Sequence, residues 1–421
     1  MNAAAANHLV VWHERRRVGQ LQRDDSGRMA FAYDPEWRAR GGFAISHSMP
    51  LSQAEFSAAS GLAHRWFANL LPEEAVRQRL VRDLKLPDTD FDLLRAIGGE
   101  CAGALSILPT DREPTRKPAY EPLDAAALER LALRRGSINF NAPESSRPRL
   151  SLAGAQDKCP VRIDDGQFLM PQGEARSSHI LKFELPDYRH VPAYETFLSR
   201  LARAVDLPAV DIELRRCGEC VFAVIERYDR QYSRHQTIKR LHQEDFCQAL
   251  GYAHRNKYQE HDGPDFAQCC ALVRAASAEP AIDLTQLLRW QIFNVLAGNS
   301  DGHAKNLALL HQPEGGVRLA PFYDLVCTRA IDRIDQRLAL DVGGERVPGL
   351  IQARHWEMMA RDCGVQPRFL RRLVNEMTTA LTEALRPTRE QFEAIYGPYP
   401  ALQRVEAVVK KQCRRVLFFG K

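Results

Sequence analysis

Residues 299–325 constrain this chain more than any other stretch. They read Asn299-Ser300-Asp301-Gly302-His303-Ala304-Lys305-Asn306, then the apolar residues 307–310. A turn at Pro313-Glu314-Gly315-Gly316 and a short return follow, and then Pro321-Phe322-Tyr323-Asp324-Leu325. Two short apolar runs on either side of a Gly-rich turn predict a hairpin. Such a hairpin returns Asp324 to the neighbourhood of Asn306. The stretch therefore offers a carboxylate at Asp301, an amide oxygen at Asn306 and a second carboxylate at Asp324. That order suits phosphoryl transfer from a metal–nucleotide: one group takes the acceptor's proton and two hold the metal. Two protein oxygens, completed by phosphate and water, fit Mg²⁺, which is seldom caged by protein alone.

The flanking sequence supplies a support for this loop. Asp283-Leu284-Thr285-Gln286 has the form of a capping box and predicts a helix opening at Asp283. Leu287, Leu288, Phe293 and Leu296 make its buried face, and Gly298 ends it at the C′ position. The Asp-to-Asn spacing is also that of the protein-kinase catalytic loop. On that logic Lys182, inside the alternating residues 178–184, pairs with nucleotide phosphates; on its own it reads equally as a lysine on an exposed strand face. Glu195, near the start of a helix over 194–205, either pairs with Lys182 or favours the helix dipole. Residues 150–158 (Leu-Ser-Leu-Ala-Gly-Ala-Gln-Asp-Lys) form a small-residue turn whose amides can approach an anion. The segment matches neither GxxxxGK[ST] nor GxGxxG, so a plain turn stays open there. The buried run 221–226 ends in Arg227-Tyr228-Asp229-Arg230, which places an adenine-facing hinge at 226–228.

At 421 residues the chain has room for two or three domains. The expected boundaries are 1–109, a unit of short strands at 10–12, 18–21 and 29–33 with a helical stretch over 66–83; a Pro-rich connector, short helix and loop at 110–147; an α/β segment at 148–240; and a helical segment at 241–421. A net charge of +5 and a pI near 8.7 fall short of a dedicated nucleic-acid binder. The basic clusters Arg368/Arg371/Arg372 and Lys410/Lys411/Arg414/Arg415 read as solvated faces or as phosphate-backbone contacts. Most of the ten cysteines stand singly in apolar stretches, as reduced thiols do. Cys217-Gly218-Glu219-Cys220 is a turn between strands, because a structural zinc needs a second ligand pair. The Ala-rich arm at residues 1–8 lacks a signal-peptide core, and no apolar run reaches the length of a membrane span. A cytoplasmic location without a membrane partner is expected.

Read together, these words resemble the HipA-like serine/threonine kinase toxins. The matching segments are 151–158, Ile180-Leu181-Lys182, 224–230, Gln243-Glu244-Asp245, 301–306 and Pro321-Phe322-Tyr323-Asp324, in the family's order. Tyr33-Asp34-Pro35-Glu36-Trp37 and Asn69-Leu70-Leu71-Pro72-Glu73 match its small N-terminal subdomain. The resemblance implies an α+β, two-lobed protein-kinase-like fold with an extra β-rich N-terminal subdomain and a mostly helical C-terminal lobe. It implies ATP and Mg²⁺ as cofactors and Asp301 as catalytic base, with Asn306 and Asp324 on the metal. Ala153, Gly154, Ala155, Gln156, Lys158, Lys182, Glu226, Tyr228, His303 and Tyr323 would meet ATP. Ser151 would be the autophosphorylated serine. The implied partners are a HipB-like helix-turn-helix antitoxin, operator DNA through that complex, and a protein substrate such as an aminoacyl-tRNA synthetase, glutamyl-tRNA synthetase among them. Asp157 replaces a familiar glutamate and Tyr228 a common phenylalanine, and the C-terminal third matches loosely. A small-molecule or lipid kinase and a non-catalytic co-repressor are the alternatives.

Overall fold

The computed structural model describes residues 7–137, 148–154, 156–185, 187–232 and 237–418. Residues 1–6 of the N-terminal arm, most of the expected loop at 137–149, and Ala155 lie outside the described residues. In chain order the elements are β1 (His8–His13), β2 (Arg16–Arg23), β3 (Met29–Tyr33), α1 (Pro35–Ala39), β4 (Glu55–Phe56), α2 (Leu62–Ala68), α3 (Glu74–Leu84), α4 (Asp90–Ile97), β5 (Leu105–Pro109), β6 (Tyr120–Leu123), α5 (Ala125–Leu133), β7 (Lys158–Asp164), β8 (Gln167–Pro171) and β9 (His179–Phe183). Then come α6 (Val191–Ala204), β10 (Ile212–Cys217), β11 (Cys220–Glu226), β12 (Arg230–Tyr232), β13 (Ile238–Arg240), β14 (Gln243–Asp245), α7 (Phe246–Leu250), α8 (Phe266–Ala276), α9 (Pro280–Ala297), β15 (Ala308–His311), β16 (Val317–Leu319), α10 (Ala353–Asp362), α11 (Pro367–Tyr396) and α12 (Leu402–Phe418). They form two compact units: residues 1–183, 227–254 and 310–314, and residues 184–226, 255–309 and 315–421.

The first unit holds an antiparallel sheet ordered β4-β3-β2-β1-β5. Alternation along β3 (Met29, Phe31 and Tyr33 buried, Ala30 and Ala32 less so) puts one face of the sheet on a core. Trp37, Trp66, Phe67, Phe91 and Leu94 fill that core from the helices. The helical stretch expected over 66–83 is broken. Helix α2 stops at Ala68 and α3 starts at Glu74, because Pro72 lacks an N–H to continue the ladder. The freed backbone at the break is used: Leu70 O accepts the Ser151 hydroxyl at 2.7 Å, and Glu73 N donates to Gly154 O at 3.1 Å. A second set of strands runs β9-β7-β8-β6, with Lys158 of β7 directly opposite Lys182 of β9.

Glu100 anchors this unit. Its backbone bridges residues 149–151: Glu100 N donates to Arg149 O (2.8 Å) and Ser151 N donates to Glu100 O (2.9 Å). Its buried carboxylate accepts from Arg230 at 2.5 Å, Arg227 at 3.1 Å and the Ser177 hydroxyl at 3.2 Å. Asp229 completes the cluster by accepting from both Arg227 and Gly103 N. Burial alone would push the Glu100 carboxyl up; Arg227 and Arg230 override it and hold it below the ordinary 4.5.

In the second unit β10 and β11 pair as a hairpin in which Cys217 faces Cys220 across the turn, as the CxxC reading expected. Helices α6, α9, α11 and α12 pack together. The reading of helix from Gln243 onward fails at β14, a three-residue strand that precedes α7. No helix among the described residues is long and apolar enough to cross a membrane.

Because Glu100→Ala leaves Asp229 as the counter-charge to two buried guanidinium groups, it should lower unfolding stability by about 3–5 kcal/mol at neutral pH. A carboxyl depressed in the folded state contributes fully above pH 4.5 and loses its contribution as pH falls through the folded value. The urea-unfolding stabilities of wild type and Glu100→Ala should therefore draw together as pH falls below 4.5. A gap of constant size from pH 7 to pH 3 would contradict this account.

Candidate active site

Helix α9 sets the site's position. It begins at Pro280 rather than Asp283, with Glu279 at the N-cap, so the expected capping box at Asp283 is not formed. Asp283 instead sits one turn inside the helix with a buried carboxylate. It accepts from Arg318 at 3.0 and 2.8 Å, from Leu319 N at 2.9 Å and from the Ser277 hydroxyl at 2.5 Å. An acid three residues past Pro280 serves better as a clamp on β16 than as a cap, because Pro280 already fixes the first-turn dihedral. Burial would raise the Asp283 carboxyl, but Arg318 and the other donors hold it below its usual value. At the other end Gly298 takes φ +75°, as expected of C′. A Cβ there would lie 2.5 Å from Val408 Cγ1 and 3.2 Å from Cys327 Sγ, so glycine is required twice over.

The loop leaves α9 through a ladder of side chain–backbone bonds. Asn299 Nδ2 donates to Asn294 Oδ1 (3.0 Å), and Asn299 Oδ1 accepts from Asp301 N (3.2 Å). Ser300 N donates to Thr328 Oγ1 (2.8 Å), and Ser300 O accepts from Ala339 N (2.9 Å). The chain then turns through the 3₁₀ segment Ala304–Asn306. Asp301 O is the hub of that turn: it accepts from His303 N at 2.9 Å and from Asn306 Nδ2 at 3.0 Å. With its amino group committed, Asn306 presents Oδ1 as the atom left for a cation. His303, Lys305 and Asn306 are buried, whereas the Asp301 side chain is exposed.

The hairpin expected after Asn306 is present. Ala320 N donates to Ala308 O at 2.9 Å, which closes the two strands two residues after Asn306 and four before Asp324. Phe322 is fully buried. It exchanges backbone bonds with Pro208 and Val210 (2.8 and 2.9 Å) and stacks on Trp290 of α9 at 6.0 Å. Tyr323 donates its hydroxyl to Lys305 O at 2.6 Å. Asp324 has φ +55°, a left-handed conformation that Asp tolerates better than bulkier residues. An oxygen pair of one amide and one carboxylate, on a frame pinned at Asn306 and Phe322, is a hard-donor set that fits Mg²⁺.

The residues expected on the phosphate side belong to the first unit. Ser151 is fully buried, and Gly154 takes φ +110°. Lys158 Nζ donates to Ala153 O at 3.1 Å, Gln156 Nε2 to Phe183 O at 3.4 Å, and Asp157 pairs with both terminal nitrogens of Arg79. Lys182 is buried, which removes the exposed-face reading. Glu195, in the second unit, is also buried. Glu226 ends β11 with an exposed side chain, and the Tyr228 hydroxyl donates to Gln243 Oε1. Burial, reinforced by Asp229, holds the Tyr228 phenol well above its ordinary value.

Sequence reasoning missed Tyr258. Its hydroxyl donates to Asp301 Oδ1 at 2.8 Å, and its ring meets His303 edge-on at 5.1 Å between centroids. The pair is 43 positions apart, so no local pattern could have revealed it.

This chain mixes helix and sheet, with Asn306 and Asp324 at the two ends of a hairpin and Asp301 on the loop ahead of it. Its residues 9–108 match the HipA N-terminal domain model and residues 150–385 the HipA-like C-terminal domain model. It is 36% identical to the putative kinase Y4mE of Sinorhizobium fredii over 92% of this chain and 93% of that one. It is 27% identical to the serine/threonine-protein kinase toxin HipA of Shewanella oneidensis over 96% and 94% of the two chains. The fold superposes on HipA from the Shewanella oneidensis MR-1 complex of HipA, HipB and operator DNA with a TM-score of 0.84, at 24% identity over 98% of both chains. The chain belongs to the HipA family.

Gly302 offers a test of the loop's rigidity. A Cβ there would fall 2.6 Å from Asn294 Nδ2 and 3.3 Å from Trp290 Cζ2, and Asn294 is held by Asn299. Gly302→Ala should displace the loop and lower phosphoryl transfer on the order of 10²-fold, the usual penalty for misplacing reacting groups by about 1 Å. Circular dichroism should show an unchanged fold, and wild-type transfer rates would refute the close fit.

Proposed function

We propose that this protein is the toxin of a toxin–antitoxin pair, an ATP- and Mg²⁺-dependent serine/threonine kinase acting on a protein of translation. An aminoacyl-tRNA synthetase, glutamyl-tRNA synthetase among them, is the proposed target. A HipB-like antitoxin is the proposed partner, with operator DNA contacted through that complex in the cytoplasm. The observation that carries the reading is the Asp301 loop: one amide, Asn306, donates to the backbone of Asp301 and so keeps its own oxygen for a cation. The names of the two full-length relatives, a putative kinase and a kinase toxin, support it. So does the presence of HipB and operator DNA in the complex that contains the structural relative.

Asn306 Oδ1 and Asp324 would hold Mg²⁺, which neutralises phosphate charge when bound. Lys182 and the backbone of 153–156, Ala155 included, would bind the phosphates, assisted by Lys158. Glu226 and Tyr228 would meet adenine, and His303 and Tyr323 would line the nucleotide. The acceptor hydroxyl gives its proton to Asp301 as its oxygen bonds to the γ-phosphorus. The bond to the β–γ bridging oxygen breaks, and ADP leaves with that electron pair. A loose transition state leaves positioning and charge neutralisation as the protein's main contribution.

Ser151 is the proposed self-phosphorylation site. Its hydroxyl is buried against Leu70 O, so it becomes an acceptor only after residues 150–154 leave that seat. A phosphate adds about −1.5 to −2 charges at neutral pH. Reburial of such a dianion is unfavourable, and the loop stays out of position for ATP.

Asp301→Ala should lower transfer of labelled γ-phosphate to protein by roughly 10²–10⁴-fold, the range for loss of a general base. Asp324→Ala should be at least as damaging, and omitting Mg²⁺ should mimic it. Wild-type labelling by either variant would sink the kinase reading. Phosphorylated Ser151 should weaken ATP binding relative to the dephosphorylated protein; equal affinities would remove the proposed switch.

A further inference from the structure

The base of a phosphoryl transfer must hold one carboxylate oxygen in a narrow arc near the acceptor. An exposed aspartate on a loop does not do this unaided, since its two side-chain torsions are free to rotate. Asp301 is such a residue: its main chain is braced at several points, yet its carboxylate is exposed. Among the described residues, the side-chain hydrogen bond to that carboxylate comes from Tyr258, at 2.8 Å to Oδ1.

Tyr258 is itself tied to the loop it serves. Its carbonyl accepts from His261 N (3.0 Å) and Gly263 N (3.1 Å), which fold the chain into a tight turn behind it. Its ring is set edge-on against His303, two residues past Asp301. The next residue, Gln259, exchanges two side-chain bonds with Asp341, accepting from its N at 3.0 Å and donating to its Oδ2 at 2.5 Å. Gln259 N also donates to Ala339 O (3.4 Å), and Ala339 N donates to Ser300 O (2.9 Å). Ser300 precedes Asp301, so the path Ser300–Ala339–Gln259–Tyr258–Asp301 closes on itself. The hydroxyl and the carboxylate it holds are thus fixed to one backbone frame.

We infer that Tyr258 is a positioning residue for phosphoryl transfer: its hydroxyl caps Asp301 Oδ1 and leaves Oδ2 to face the acceptor hydroxyl. This rests on the reading of Asp301 as the base. The phenol keeps its proton throughout and touches neither nucleotide nor acceptor. Its contribution belongs to the transfer step and not to ATP binding.

Tyr258→Phe removes one oxygen and retains the ring against His303. With γ-labelled Mg-ATP and a cytosolic protein extract as acceptor, kcat should fall roughly tenfold while KM for ATP stays within about twofold, the pattern of an interaction realised in the transition state. Added to Asp301→Ala, the substitution should change nothing further, because residues acting through one another are non-additive. Wild-type kcat in Tyr258→Phe would overturn the inference, as would a rise in KM for ATP that accounts for the loss, or a further tenfold loss in the Asp301→Ala background. Undiminished labelling by Asp301→Ala alone would instead overturn the assignment of the base. The two failures are therefore distinguishable.

Discussion

The buried carboxylate of Glu100 is the interaction on which the first unit depends. Its backbone fixes Arg149 and Ser151 while its side chain fixes Arg227 and Arg230, residues 127 and 130 positions away. The small-residue loop and the segment after β11 consequently share one anchor. A buried ion cluster is not a cheap source of stability, since desolvation offsets most of the attraction. Its value here is register: two guanidinium forks fit few arrangements of acceptors, and Cys101 O, Gly103 O and the Ser177 hydroxyl oxygen take the N–H groups that the carboxylates leave. Arg240 lies on the margin of the same cluster. Burial, then Arg230, pushes its guanidinium down to about 10, the expected direction where three arginines face two carboxylates.

The second unit achieves precision by a different route. Several bonds that shape the Asp301 loop join a side chain to a backbone group: Asn299 and Asn306 to Asp301 close by in sequence, and Tyr323 to Lys305 across the hairpin. Such bonds need only a solid base, and α9 supplies it through Trp290, Phe293 and Leu296, all fully buried. Asp283 extends that base to the hairpin. It holds Arg318 and Leu319, so helix and strand move as one piece, and the hairpin delivers Phe322 to its seat against Pro208 and Val210.

The fold thus separates two kinds of residue that the proposed reaction needs. The groups that would handle protons and metal stand on a frame of short, mutually braced elements. The small-residue loop is held by a few bonds to chain breaks, at Leu70 and Glu73, and by the backbone of Glu100. Loops secured in this way open at less free energy than elements woven into a core. That difference suits the proposed phosphorylation of Ser151, whose hydroxyl is buried against Leu70 O.

Much of this was legible in the chain itself. Local chemistry determined the helix end at Gly298, the hairpin after Asn306, the turn between Cys217 and Cys220, and the spacing of Asp301, Asn306 and Asp324. Each rests on interactions within a few residues, or on a turn that only certain residue types can make. Sequence erred where a residue has two good local uses. Asp283 fits a capping box, but its carboxylate is instead taken by the Arg318 guanidinium and Leu319 N. Trp66 to Asp83 has helical spacing, but Pro72 interrupts it, and the backbone freed there bonds to Ser151 and Gly154. Three things only the tertiary structure decided: the burial of Lys182 and Glu195, the Glu100 cluster, and the Tyr258 hydroxyl on Asp301. All three depend on desolvation or on partners distant in sequence, and neither leaves a periodicity to read.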